Sequence, residues 1–274
     1  MKAVNEDIGR STGCEIFEDS VEVDGSVRTG ARLTVHGDIT IRGDVEDAVI
    51  EADGDVRIGG GFLGTGTGMV LCGGNFAAMF VQGQRIESKG SVEVTKAIVS
   101  GTVFASRDLR TGKDDGAIVG GEIHVGGSVE TAVLGSRRPV QTRIEVGVDP
   151  VLALRIEDLE REAMELTRKR IEFLKNMAAI EENSGHGGAA ESVLDIRAVT
   201  DAMQADIVAA GEDIIEMRKQ MVLDTRAFVR VRKVSFPPLE ISICFSKLIH
   251  DDQTGPVVFR RLEDRIILDT WNTE

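Results

Sequence analysis

The first half of the chain repeats a short pattern of a turn residue, then Asp, Asn or Ser, then an apolar residue. Successive copies lie about 16 to 20 residues apart, which is the period of solenoid proteins, where each repeat forms one coil. One coil cannot bury its own apolar face, so neighbouring coils must stack to bury it. The copies are Gly37-Asp38-Ile39, Gly54-Asp55-Val56, Gly74-Asn75-Phe76, Gly90-Ser91-Val92, Arg107-Asp108-Leu109 and Gly127-Ser128-Val129.

Apolar and polar residues alternate after these turns, as in Ile39-Thr40-Ile41. A period of two indicates β-strands whose apolar side chains point inward. Aromatic residues make up only 4% of the chain, so the core must consist mainly of stacked aliphatic side chains. The pattern predicts a parallel β-helix, and coils of unequal length favour the right-handed form over the left-handed form built on hexapeptides. The predicted inner ladder is Ile39, Val56, Phe76, Val92, Leu109 and Val129.

The second half begins with a helix start at Asp149-Pro150, since Asp is a favoured N-cap and Pro fits the first helical position. Apolar residues then recur at spacings of three and four in two segments, which is typical of a coiled coil. The glycine-rich break Asn183–Gly188 separates them, and Ser192 is the predicted start of the second helix. We therefore predict a long antiparallel coiled-coil hairpin. Its two seams are Leu152, Ile156, Leu159, Ala163, Leu166, Arg170, Phe173, Met177 and Ile180, and Val193, Ile196, Thr200, Met203, Ile207, Ala210, Ile214, Met217 and Met221.

Strand patterns return after the hairpin, for example at Phe228–Val234. Pro237-Pro238 excludes a helix in this region. The hairpin is therefore predicted to be an insertion into a β body. The expected parts are a parallel β-helix over residues 1–149, the coiled-coil hairpin over 150–226, and C-terminal strands over 227–274 that pack back on the β-helix.

Few segments have the spacing of a chemical site. Gly59–Gly64 matches GxGxxG, but a dinucleotide loop needs a helix next, and Thr65–Val70 has a turn and strand pattern, so a corner of the β-helix is predicted. Asp114-Asp115-Gly116 lacks the many oxygen ligands that calcium needs and is predicted to be a solvated turn. The sequence predicts no catalytic, cofactor-binding or metal-binding residues. Widely separated polar candidates are His36, His124, His186, His250, Cys14, Cys72 and Cys244.

The chain carries a net charge of -14 at pH 7. Such a surface repels nucleic-acid phosphates and anionic membranes, so neither is an expected partner. The sequence has no signal-peptide pattern and no apolar stretch approaching the roughly 20 residues of a membrane-spanning helix. We therefore expect a cytoplasmic protein with reduced thiols.

Several motifs occur together in the order found in a known family. Thr142–Pro150, directly before the coiled coil, is the most specific of them. The set resembles the flagellar assembly protein A family of bacterial polymerisation-domain proteins over about residues 20–270. The resemblance implies a right-handed parallel β-helix with an inserted coiled coil, self-association, a part in flagellar assembly, and no catalytic or cofactor residues. Family members usually carry a substantial domain before the β-helix, whereas about 20 residues precede it here. The other motifs are Gly37–Val45, Gly54–Gly61, Ala97–Gly101, Ile118–Ile123 and Val133–Ser136.

Together these features predict a non-enzymatic, self-associating cytoplasmic scaffold without cofactors, whose coiled coil binds a protein partner. Two alternatives stay open. A β-helix enzyme acting on carbohydrate or acyl donors would need carboxylates or a histidine that converge in one groove. A signalling adaptor would dock a regulator on the hairpin without polymerising.

Overall fold

The computed structural model describes residues 2–9, 14–183 and 190–270. The chain divides into two compact units, one formed by Met1–Val151 with Leu223–Glu274 and the other by Leu152–Val222. The first unit is built mainly of β-strands, and the second consists of two helices.

The strands of the first unit are short at the start of the chain and longest near its middle. In chain order they are β1 (Lys2–Val4), β2 (Cys14–Phe17), β3 (Val21–Val23), β4 (Arg32–Val35), β5 (Ile39–Ile41), β6 (Val45–Glu46), β7 (Val49–Ala52), β8 (Val56–Leu63), β9 (Met69–Cys72), β10 (Phe76–Gln82), β11 (Arg85–Ser88), β12 (Val92–Ala105), β13 (Leu109–Thr111), β14 (Ala117–Val125), β15 (Val129–Leu134), β16 (Thr142–Val146), β17 (Phe228–Ser235), β18 (Leu239–Ile243), β19 (Ser246–His250), β20 (Val257–Leu262) and β21 (Arg265–Thr270).

Most of these strands pair in parallel with the strands one coil before and one coil after, in three ladders around the coil. The first ladder runs β1–β3–β5–β8–β10–β12–β13–β15–β17. The second runs β2–β4–β7–β9–β11–β12–β14–β16–β18. The third includes β6, the last parts of β8, β10 and β15, the middle of β12 and the first part of β14. The fold is thus a parallel β-solenoid, as predicted, and its handedness stays a prediction.

The predicted inner ladder is confirmed. Its six residues are at most 1% exposed. Phe76, for example, lies in register with Val56 in the coil before and with Val92 in the coil after. The same ladder continues to Val21 at one end and to Val229 at the other. Burying each large aliphatic or aromatic side chain contributes about 1.5–3 kcal/mol, so this column is a main source of stability.

Hydrogen bonds between coils explain why the repeat combines glycine with Asp or Asn. The Asp38 carboxylate accepts the backbone N–H of Asp55 at 2.8 Å, and the Asp55 carboxylate accepts that of Asn75 at 2.8 Å. A side chain on Gly54 would place its Cβ 2.1 Å from Asp38 Oδ1. The glycine therefore leaves room for the carboxylate of the previous coil, which then bonds to the residue after the glycine.

The solenoid begins before the first repeat that the sequence reveals. Strands β1 and β2 lie in the stretch that the sequence places ahead of the β-helix, yet they pair in parallel with β3 and β4. Asp7 fills the turn position of this coil, because its carboxylate accepts the N–H of Ser26 at 2.8 Å while Gly25 packs over it. The expectation that about 20 residues precede the β-helix is therefore wrong.

The strands after the hairpin extend the same ladders. Strand β17 pairs in parallel with β15, and β18 pairs in parallel with β16. The chain then reverses, so that β19 is antiparallel to β18, β20 is antiparallel to β17, and β21 is antiparallel to β20. Glu130 on β15 accepts hydrogen bonds from Arg230 and Arg232 on β17, which joins the two parts of the sequence.

The second unit contains most of helix α1 (Pro150–Asn183) and helix α2 (Ala190–Gln220). The predicted N-cap is confirmed, because Asp149 Oδ1 accepts the backbone N–H of Val151 at 3.0 Å. Helix α2 begins two residues before Ser192, a difference within the usual uncertainty of helix ends. In the glycine-rich break, Asn183 ends α1, and residues 184–189 lie outside the described part of the chain.

The two helices pack antiparallel through the predicted seams. Arg170 donates to the backbone carbonyl of Thr200, and Glu160 pairs with Arg218. Residues later in α1 therefore lie beside residues earlier in α2. Ile156, Leu159 and Thr200 are buried, and the other seam residues whose side chains are described are at least partly covered, except Phe173. The antiparallel contacts and the covered seam residues confirm the predicted coiled-coil hairpin.

Candidate interaction surface

Three of the four histidines lie in the described chain, each with its own neighbour. His36 Nδ1 lies 2.9 Å from a carboxylate oxygen of Asp53, and this hydrogen bond raises the pKa of His36. His124 lies 3.0 Å from Glu145. His250 is buried. The structure does not bring these rings together, and His186 lies outside the described residues.

The glycine-rich motif lies where one strand bends. Gly59, Gly60 and Gly61 belong to β8, whose first part pairs with β5 and whose last part pairs with β6. The following segment leads into β9 rather than into a helix. The glycine-rich segment is therefore not followed by the helix that a dinucleotide loop needs. In the Asp114-Asp115-Gly116 turn, the Asp115 carboxylate bonds to Lys96 Nζ at 2.6 Å.

Within the part of the chain that the structure describes, the most heavily hydrogen-bonded carboxylate belongs to Asp47, which the sequence pattern did not single out. It accepts the Gln84 side-chain amide at 2.8 Å and the backbone N–H groups of Thr65 and Thr67. These bonds, led by the one from Gln84, hold the pKa of the Asp47 carboxyl well below its usual range. Asp47 therefore acts as a clamp on the glycine-rich loop that contains Gly64 and Gly66.

The clamp predicts a pH-dependent effect. Because folding lowers the pKa of Asp47, its stabilisation is complete above the unfolded-state pKa of about 3.9 and is lost as pH falls toward the folded-state value. We expect Asp47→Asn to lower the free energy of unfolding by about 1–2 kcal/mol at neutral pH and by clearly less near pH 3. Urea denaturation at both pH values measures this.

The matched control for the clamp is Asp251→Asn, since Asp251 is an exposed carboxylate in the loop after β19. This substitution should change the free energy of unfolding by less than about 0.5 kcal/mol at either pH. If the effect of Asp47→Asn were the same at both pH values, ionisation of Asp47 would not contribute to the clamp.

The described residues hold no cluster of potential metal ligands, and two of the three cysteines are buried. No group of three or more His, Cys, Asp or Glu side chains in residues 2–9, 14–183 and 190–270 lies close enough to hold a metal ion. Burial raises the pKa of the Cys72 thiol to about 11 and also raises the pKa of Cys244. Both are therefore protonated at neutral pH, while Cys14 is exposed without a disulfide partner in the described chain.

Large apolar side chains are exposed along the helical hairpin, outside the seam that joins its helices. Five of them recur every seven residues, which keeps them on one side of each helix, whereas the exposed Val199 lies outside this spacing. On α1 they are Met164 (70% exposed) and Ile171 (47%); on α2 they are Val208 (50%) and Ile215 (58%), and Val222 (76%) continues the spacing two residues after α2 ends. We call these five residues the hairpin face.

An ion pair places both rows on the same side of the hairpin. Glu160 lies one turn before Met164, and Arg218 lies one turn after Ile215. Because Glu160 and Arg218 bridge the two helices, the rows next to them flank the same bridge. The hairpin face is therefore one surface.

Opposite charges border the hairpin face on its two helices. The α1 border carries the exposed cations Arg161, Arg168 and Lys175. On α2 the exposed anion Asp201 lies one heptad before Val208, and the border carries the exposed anion Glu212 followed one heptad later by the exposed cation Lys219. A shallow groove runs along the α1 side of the surface. It is lined by Met164, Thr167, Arg168, Ile171, Glu172 and Lys175.

Gly211 is the least expected residue on this surface. It lies in the interior of α2, where glycine costs about 1 kcal/mol relative to alanine. A Cβ built on Gly211 would meet no atom within 4 Å, so packing within the chain does not require glycine there. The position leaves open space between Val208 and Ile215 on the hairpin face.

The sequence reveals the seam of the hairpin but not this second surface. The seven-residue spacing of Val208, Ile215 and Val222 is visible in the sequence, and so is Gly211. Only the antiparallel pairing through Glu160 and Arg218 shows that the α1 and α2 rows share one side.

No helix among the described residues is long and apolar enough to span a membrane.

Comparison with known proteins supports the fold independently. A family model described as the Flagellar Assembly Protein A beta solenoid domain matches residues 1–267. No curated protein and no solved structure matches the chain.

Proposed function

Because the chain belongs to the Flagellar Assembly Protein A beta solenoid family, we propose that it is a non-enzymatic, self-associating scaffold of the cytoplasm that takes part in flagellar assembly. In this role the β-solenoid is the rigid body, and the helical hairpin binds protein. The observation that carries the proposal is the hairpin face, a row of exposed apolar side chains on each of two paired helices.

Exposed apolar area on both helices favours a binding role over a purely structural one. Removing apolar surface from water contributes about 25 cal/mol per Å², so five large side chains supply a substantial driving force for association. A hairpin needed only as a spacer would gain nothing from Met164 at 70% exposed or Val222 at 76% exposed. Contiguous apolar surface of this kind marks protein-binding sites.

The polar surface of the solenoid favours a scaffold over an enzyme. Several of its carboxylates hold the coils together, as Asp38 and Asp55 do through backbone N–H groups. Others form ion pairs, such as Glu240 with Arg143 and Lys247. These carboxylates have structural partners and are not free to act as a general acid or base.

Affinity capture from the native cell tests the proposal. We expect the combined variant M164Q/I171Q/V208Q/I215Q to capture its partner at least about tenfold less than the wild-type chain, since a loss of 1.4 kcal/mol already gives that factor. These side chains are exposed, so the fold should persist, and circular dichroism checks this. The measurement is quantitative mass spectrometry of the captured proteins.

The matched control alters the other side of the hairpin. Glu162, Lys169, Asp206 and Asp213 are exposed and lie across the seam from the hairpin face. The variant E162Q/K169Q/D206N/D213N should capture the same proteins as the wild-type chain. Equal capture by all three chains would mean that the hairpin face does not bind the partner.

A further inference from the structure

We propose that the hairpin face is occupied by the hairpin face of a second copy of this chain, with α1 of one copy opposite α2 of the other. This inference rests on the proposed binding role of the hairpin face and names its occupant. The two hairpins would form a four-helix bundle with a twofold axis parallel to the helices.

Charge complementarity selects the second copy and its orientation. The α1 border is basic at Arg161 and Lys175, and α2 is acidic over the facing stretch, at Asp201 and Glu212, while its cation Lys219 lies beyond that stretch. A twofold axis parallel to the helices brings each α1 border against the α2 border of the other copy, so opposite charges meet twice. Any arrangement with α1 against α1 would bring cation to cation and anion to anion, which is unfavourable.

The register within the hairpin makes these charges meet at the same height. The Glu160–Arg218 and Arg170–Thr200 contacts fix which residues of α1 and α2 are level. A twofold axis parallel to the helices keeps each residue at its own height. The two contacts give registers that differ by eight residues, and their average, at 1.5 Å per residue, gives the pairs across the two copies to about one turn. They are Met164 with Val208, Arg161 with Glu212, and Lys175 with Asp201.

The open position at Gly211 fits the same arrangement. It lies between Val208 and Ile215, where the chain's own atoms fill no space within 4 Å of a built Cβ. In the same register, the residue of the second copy's α1 that lies level with Gly211 is close to Met164. The missing side chain lets the two helices approach closely, which compensates for the unfavourable helix propensity of glycine.

Sedimentation equilibrium of the pure full-length chain tests self-pairing. We expect a dimer at micromolar concentrations, and we expect M164Q/I171Q/V208Q/I215Q to raise the dissociation constant at least about tenfold. The control E162Q/K169Q/D206N/D213N should dimerise like the wild-type chain. A wild-type chain that stays monomeric, or a dimer that the hairpin-face variant leaves unchanged, would overturn the inference.

Charge reversal tests the pairing of α1 with α2. The variants R161E/K175E and D201K/E212K should each dimerise at least about tenfold more weakly than the wild-type chain, because like charges then meet at both borders. An equimolar mixture of the two should recover wild-type affinity, since each border again joins opposite charges. A mixture no tighter than either variant alone would contradict the charge pairing.

Disulfide trapping distinguishes the orientation directly. With the exposed Cys14 replaced by serine, a chain carrying M164C should cross-link to a chain carrying V208C and should cross-link only weakly to itself. Strong self-linking of M164C would place α1 against α1 and overturn the proposed orientation.

The outcomes separate this inference from the proposed function. A monomeric chain that still captures a cellular partner through the hairpin face overturns self-pairing alone. A monomeric chain whose hairpin-face variant captures the same proteins as the wild-type chain overturns both.

Discussion

Replacing Phe76 with alanine is expected to lower the free energy of unfolding by about 4 kcal/mol. Phe76 is fully buried in the inner ladder between Val56 and Val92. The loss combines the transfer of the ring from water with the cost of the cavity left behind. Hydrogen bonds hold the coils on either side at their spacing, so the cavity cannot close by collapse. Urea denaturation measures the change.

Met79 is the matched control on the same strand. Its side chain is 49% exposed on the outer face of β10, three residues from Phe76. Met79→Ala should change the free energy of unfolding by no more than about 0.5 kcal/mol. Similar losses for both variants would show that β10 does not alternate between an inner and an outer face.

Gly121→Ala is expected to cost about 3 kcal/mol. Gly121 has a backbone φ of +86°, which is unfavourable for any residue with a Cβ. A Cβ built there would lie 2.2 Å from the carbonyl oxygen of Gly101 in the previous coil. Because that oxygen belongs to the backbone, the clash cannot be relieved by turning a side chain. The expected cost therefore adds backbone strain to overpacking.

Gly255 provides the control for this substitution. A Cβ built on Gly255 would meet nothing within 4 Å, and its φ is not in the left-handed region. Gly255→Ala should therefore leave the free energy of unfolding within about 0.5 kcal/mol of wild type. If Gly121→Ala changed the free energy of unfolding as little as Gly255→Ala, the coils would not lie as close together at Gly101 as the structure shows.

The inner ladder could be predicted from the sequence because turn residues and alternating apolar residues mark each coil locally. Ile39 and Val56, for example, follow the same glycine-aspartate pair. The first coil escaped prediction because Asp7 follows Glu6 rather than a glycine. Its partner Gly25 lies one coil later, and only the stacking brings the two together.

The candidate surface was less predictable than the fold. The heptad seam indicates which residues join the helices, and the structure places Ile156 and Leu159 there. Whether other apolar residues form one surface depends on how two distant segments align, which spacing within one helix cannot reveal. The Asp47 clamp could not be predicted from the sequence for the same reason, since Gln84 lies 37 residues away in sequence.

Site-specific photo-crosslinking in the native cell tests the central claim, that this protein works by binding through the hairpin face. A photoreactive amino acid would replace Met164 in one strain and Lys169, across the seam, in another. We expect protein adducts from position 164 and none above background from position 169. Absence of adducts at 164, or equal adducts at both positions, would contradict the claim.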